Sequence, residues 1–118
     1  MSVFGINSGV LGTERIVLSG TGATTIVDAT NKSGLAVVGI LLVNNSGGPL
    51  SPVVDVYNGT TAFRLRDDVA LADQAREVLS LPEFVRLKPG DLLRVTANTG
   101  LTVFASFIDM TVSRQNAA

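Results

Sequence analysis

The apolar positions of this chain fall into short runs and alternations separated by turn-forming clusters. The longest run, Leu35-Ala-Val-Val-Gly-Ile-Leu-Leu-Val43, is apolar at every position except Gly39 and ends at Asn44-Asn-Ser-Gly-Gly48. It is too short to cross a membrane, which takes roughly 20 residues. The β-branched Val37, Val38, Ile40 and Val43 favour a strand over a helix. A strand without a polar face is expected to lie between two layers that cover both its sides.

Other strands follow the same logic. Residues 14–19 and 24–29 predict two strands, ended by Gly20-Thr-Gly22 and by Asn31-Lys-Ser-Gly34. Pro52-Val-Val-Asp-Val-Tyr57, Asn58-Gly59 and Thr60-Thr-Ala-Phe-Arg-Leu65 predict a hairpin closed by a two-residue turn, because Asn-Gly tolerates the positive φ of a type I′ turn. In that register Tyr57 faces Thr60, Asp55 faces Ala62 and Val54 faces Phe63. Val54, Val56, Thr61, Phe63 and Leu65 then point to the core, and Asp55 and Arg64 lie diagonally on the other face as a weak ion pair. Residues 66–77 permit either a helical turn capped by Asp67 or Asp68 or a long loop. Residues 78–81 and 84–87 predict short strands. Lys88-Pro-Gly-Asp91 predicts a type II turn with Gly90 at the positive-φ position. Residues 92–97 and 101–112 predict a last hairpin through Asn98-Thr-Gly100, the second strand apolar on both faces up to Asp109. Eight or nine short strands with regular turns predict an all-β fold: a single antiparallel β-sandwich, jelly-roll-like, of about eight strands. The sandwich is expected over residues 14–113, with a frayed tail at 114–118.

Residues 1–13 are Gly- and Ser-containing, with Val3, Phe4, Ile6, Val10 and Leu11 spaced along them. Two readings stand: an edge segment packed on its own domain, or an arm that docks on a neighbouring subunit through those five side chains. The segment lacks the basic start and long apolar stretch of a signal peptide, so assembly in a cytoplasm is expected. The Asn-X-Ser/Thr triplets at Asn31, Asn44 and Asn58 are then turn residues rather than glycan acceptors.

Composition removes most catalytic chemistry. With no Cys and no His, neither a Ser-His-Asp nor a Cys-His set is available, and the commonest metal ligands are missing. A Ser-Lys site has only Lys32 and Lys88 to draw on, both in predicted turns. Asp67, Asp68 and Asp73 do not match a calcium-loop pattern. Gly20-Thr-Gly22 precedes a strand, not the helix a phosphate cradle needs. No catalytic residue, metal ligand or cofactor is therefore expected. Nine basic and ten acidic residues without long runs of one sign leave no nucleic-acid footprint, and no membrane partner is implied. With no Trp and a single Tyr, stacking platforms are scarce. Tyr57 is the one good ring for a glycan, in a patch that loops 44–51 and 66–77 would build.

One feature exceeds what a lone small domain needs. The chain is 46% hydrophobic and 16% charged, with a mean hydropathy of +0.40, more apolar surface than two layers can hide. Excess apolar surface marks an association surface, so self-association is expected.

Three stretches carry a resemblance: Ile16-Val-Leu-Ser19, Thr24-Thr-Ile-Val-Asp-Ala-Thr30, and Val37-Val-Gly-Ile-Leu-Leu-Val-Asn-Asn45. The second half adds Leu71-Ala-Asp73, Val85-Arg-Leu-Lys-Pro-Gly-Asp-Leu-Leu-Arg-Val-Thr-Ala97 and Gly100-Leu-Thr-Val-Phe-Ala-Ser106. In pattern and turn placement, residues 14–112 resemble small β-sandwich virion structural proteins of tailed bacteriophages, of the head decoration or cement type. The resemblance implies a non-enzymatic virion protein that stabilises a head as a homo-oligomer, a trimer among the options, bound to the major capsid protein or another virion protein. A tail or fibre component that binds a host receptor or glycan is the alternative.

Overall fold

The computed structural model of the chain describes residues 10–20, 22–30, 34–79 and 85–109. These form nine strands: β1 (Val10–Val17), β2 (Ala23–Asp28), β3 (Leu35–Asn44), β4 (Val53–Tyr57), β5 (Ala62–Arg66), β6 (Arg76–Val78), β7 (Val85–Leu87), β8 (Leu92–Thr96) and β9 (Leu101–Asp109). No helix occurs among the described residues. All pairings are antiparallel and make two sheets, A in the order β1-β9-β3-β6 and B in the order β2-β8-β4-β5. The short β7 pairs with β3 along the same edge as β6. Val78 opposes Leu41 and Val85 opposes Val37, so β6 and β7 act as one edge strand interrupted by extra residues.

The two sheets meet over a core to which both contribute fully buried side chains: Val37, Leu42 and Val103 from sheet A, Val54, Leu93 and Val95 from sheet B. The expected β-sandwich is the fold observed.

The run 35–43 forms its strand, but with two unlike faces. Leu35, Val37, Ile40, Leu42 and Asn44 are buried, while Ala36, Val38, Gly39, Leu41 and Val43 are only half-buried. The step from Val37 to Ile40 breaks strict alternation because β3 bulges against β9 between Val37 and Gly39; a bulge adds one residue and resets the phase. The expectation of cover on both sides is thus corrected: among the described residues, no layer lies over the second face.

The hairpin register is also corrected. Tyr57 opposes Ala62, Val56 opposes Phe63 and Asp55 opposes Arg64, with a bulge beyond Asp55 where Val54 meets Arg66. The loop is therefore residues 58–61. The Asn58 side-chain oxygen accepts the Thr60 and Thr61 amides at 2.9 and 2.7 Å, and the Asn58 amide donates to the Thr61 carbonyl. These bonds favour a longer Asx-stabilised turn over the two-residue one, with Gly59 alone of its residues at positive φ. Phe63 ends 54% exposed, because β5 is the edge of its sheet. The expected Asp55–Arg64 pair does not form: Arg94, across from Asp55 on β8, takes its carboxylate instead.

Residues 66–77 take the loop option. Leu71 forms an isolated bridge with Leu50, and Asn44 clamps this loop to the next. Its Nδ2 donates to the carbonyls of Gly48, Leu71 and Ala72 at 2.9–3.1 Å. Its Oδ1 accepts from the Ser46 amide and hydroxyl. Asn44 has no exposed surface, which explains why that triplet is structural. The turn after Lys88 is as expected: Gly90 has φ +91°, and Asp91 N–H donates to Lys88 O at 2.9 Å.

Candidate assembly surface

Cross-strand partners share a face, so the register of sheet A dictates what lies on its outer side. Four rows run across the strands. Ile108, Ala36 and Arg86 form the first; Thr13, Ser106 and Gly39 the second. The third is Arg15, Phe104, Leu41 and Val78; the fourth is Val17, Thr102, Val43 and Arg76. The small second row lies between two larger apolar ones. Its result is a groove of about 310 Å³ lined by Thr13, Gly39, Ile40, Leu41, Val78, Phe104 and Ser106. Val78 and Val17 are 71% and 59% exposed. Arg15, Arg76 and Arg86 stand exposed around this face. None of the three has a carboxylate partner among the described residues, and no acidic residue falls in the four rows.

The outer side of sheet B is different. Arg94 donates through Nε and Nη2 to the two carboxylate oxygens of Asp55, at 2.9 and 3.3 Å. Its guanidinium lies 3.9 Å from the centre of the Tyr57 ring, a cation–π geometry. Tyr57 Oη donates to Gly59 O. Arg64 and Asp67 approach to 3.5 Å. Charges there are neutralised within the chain, whereas Arg15, Arg76 and Arg86 of sheet A have no such partner among the described residues.

The residues singled out in the sequence distribute as follows. Val10 and Leu11 lie in β1, opposite Asp109 and Ile108; residues 10–13, assigned to the N-terminal extension, pair with β9. Val3, Phe4, Ile6 and Lys32 lie outside the described residues. Tyr57 has one ring face occupied by Arg94. Loops 44–51 and 66–77 are brought together through Asn44 and through the Gly47 N–H, which donates to Asp73 Oδ1. Among the described residues no group of three or more acids gathers as a metal site.

A cleft of about 380 Å³ opens between the sheets, lined by Glu14, Asp28 and Asp109 over Ile26, Leu35 and Phe107. Asp28 is held below the ordinary carboxylate range by bonds from the Thr30 side chain and backbone. It stays ionised, so it is a poor proton donor at neutral pH. Among the described residues no lysine, serine or tyrosine lines this cleft.

The arginine-rimmed apolar face was missed in the sequence because its members come from five separate strands. The even-numbered apolar residues of β9 were the available signal, and only the pairing map shows what lies beside them.

No family model matches the sequence, and comparison with curated proteins gives no match. Solved structures do match. The fold is similar to that of a pentameric capsid protein isolated from metagenomic phage sequences, at 23% identity over 82% of this chain, with a TM-score of 0.51. The chain spans 61% of the length of that protein. It is also similar to a chain of the capsid asymmetric unit of cyanophage Pam1, at 12% identity over 84% of this chain and 83% of that one, with a TM-score of 0.50. Identities this low show a shared fold: the sandwich described above is one that phage capsid proteins also use.

Proposed function

We propose that this protein is a non-enzymatic structural component of a bacteriophage particle, and that it decorates the capsid as an oligomer. The observation that carries the reading is the outer face of sheet A, apolar at its centre, uncovered among the described residues and built on a fold shared with phage capsid proteins. A surface of this kind on a folded domain marks an interaction site. The connectivity supports the same setting. With β6 and β7 counted as one interrupted strand, the order of the two sheets supports a jelly-roll reading, an architecture recurrent in viral capsids. Decoration is preferred over shell building because a sandwich with one sticky face suits an addition to a shell.

In this reading sheet A faces the neighbours. The N-terminal segment, with Val3, Phe4, Ile6, Val10 and Leu11, strengthens attachment to the major capsid protein or another virion protein. The Tyr57 glycan alternative gains nothing from the geometry, since Arg94 covers one ring face.

Particles assembled without this protein test the reading. Purified protein added back is expected to bind them saturably and to raise the temperature at which heads release their contents. A chain lacking residues 2–9, which leaves β1 whole, is expected to stay folded and bind more weakly. Recovery of the protein only from particle-free lysate would overturn the proposal.

A further inference from the structure

The arginine-rimmed face sets a requirement on whatever covers it. A second copy applied face to face would bring Arg15, Arg76 and Arg86 onto a surface with no acid in its rows. Each guanidinium would be desolvated without a carboxylate, which is costly. A complementary occupant presents an apolar side chain flanked by carboxylates.

The chain carries such a feature elsewhere. Asp67, Asp68, Val69 and Ala70 are all exposed, Val69 by 62%. This loop is braced from beneath: Arg66 Nη1 lies 3.0 Å from the Asp67 carbonyl, 2.8 Å from that of Val69 and 2.7 Å from that of Pro52. The Arg66 side chain is itself only 6% exposed. A loop fixed in this way loses little entropy on docking. Asp68 has no cationic partner among the described residues, and Asp67 has only the long contact to Arg64.

We propose that the Asp67-Asp68-Val69 loop of one copy docks on the outer face of sheet A of the next, Val69 entering the groove over Gly39 and the two carboxylates meeting Arg15 and Arg76. Loop and groove are different surfaces, so the contact is head-to-tail. Such contacts generate a ring where the rotation closes and a chain where it does not. The groove spans three strand spacings, about 14 Å, room enough for one loop tip. This inference rests on the outer face of sheet A being the assembly surface.

Charge reversal tests it, because every residue changed is exposed and the fold is expected to survive. The full chain is compared with three variants by sedimentation velocity over a range of concentrations: Arg15→Glu with Arg76→Glu, Asp67→Arg with Asp68→Arg, and all four together. The unaltered protein is expected above monomer mass. Each double variant is expected to weaken association at least about 10-fold, which corresponds to ~1.4 kcal/mol, and the fourfold variant to recover it. A monomeric unaltered protein, an acid-to-arginine variant of unchanged mass, or a fourfold variant that fails to recover overturns the loop-to-groove contact. Binding of the same variants to particles separates the two readings. If the arginine variant alone loses particle binding, the face is an assembly surface for a different protein and only the copy-to-copy contact falls. If no variant affects particle binding, the assembly role of sheet A falls with it.

Discussion

Arg66 and Glu77 join the two sheets at their open edge. Nε and Nη2 of Arg66 donate to the two Glu77 carboxylate oxygens, each at 3.0 Å, and the residues belong to β5 of sheet B and β6 of sheet A. The hydrogen bonds from Arg66 hold Glu77 below the ordinary carboxylate range. A carboxylate with a depressed folded-state pKa stabilises the fold above its unfolded value, here 4.5. That contribution is lost as pH falls through the folded value. Glu77→Gln is expected to cost about 1–3 kcal/mol at neutral pH, the range for hydrogen bonds to charged groups. The gap from the unaltered protein should narrow as pH falls below 4.5 and through the lower folded-state value. Urea denaturation at pH 3 and pH 7 checks both points.

Asn44 is expected to be the most sensitive polar residue. Truncation to Ala removes five side-chain hydrogen bonds, leaving the Leu71 carbonyl with only the Leu50 N–H. The cost should be ~3 kcal/mol, from several lost bonds at about 0.5–1.5 kcal/mol each. Thermal unfolding with hydrogen exchange at residues 71–75 would register a loosened loop alongside the lower midpoint.

Gly100→Ala is expected to destabilise for two independent reasons. Gly100 has φ +102°, a region L-residues enter at a cost of about 1–3 kcal/mol. A Cβ there would also lie 2.8 Å from the Ser46 Cα, so backbone must move. Gly59→Ala shares the positive φ but meets no atom within 4 Å and should cost less. Denaturation midpoints of the two variants give the steric part by difference.

Leu41 and Leu42 are adjacent in sequence and opposite in role. Leu42 is fully buried, and Leu42→Ala should cost about 2–5 kcal/mol. Leu41 lines the outer groove, so Leu41→Ser should leave the melting temperature nearly unchanged and reduce particle binding. A large loss of stability in the Leu41 variant would place that side chain in a core instead.

Most strands were legible because turn chemistry delimits them. Lys88-Pro-Gly-Asp91 and Asn98-Thr-Gly100 end strands where the backbone demands Gly. Three features escaped for physical reasons. The bulge at Val38 is invisible in an all-apolar run, since either phase is equally hydrophobic. The turn after Tyr57 was lengthened by the Asn58 side chain, which outweighed the Asn-Gly preference. The partner of Asp55 lies 39 residues away on β8, and local pattern cannot choose between two arginines. The assembly face shares that difficulty: an apolar excess is a property of composition, but its location depends on which distant strands become neighbours.

The placement of β9 has a consequence for biosynthesis. The strand lies between β1 and β3 in sheet A, yet it is translated after both of them. A growing polypeptide therefore holds two strands in waiting until their shared neighbour leaves the ribosome, and pairing at such long sequence separation is intrinsically slow. Products clipped before residue 101 lack the seam on which the outer face is organised. Only molecules translated through β9 can join β1 and β3 into one sheet with a continuous outer face.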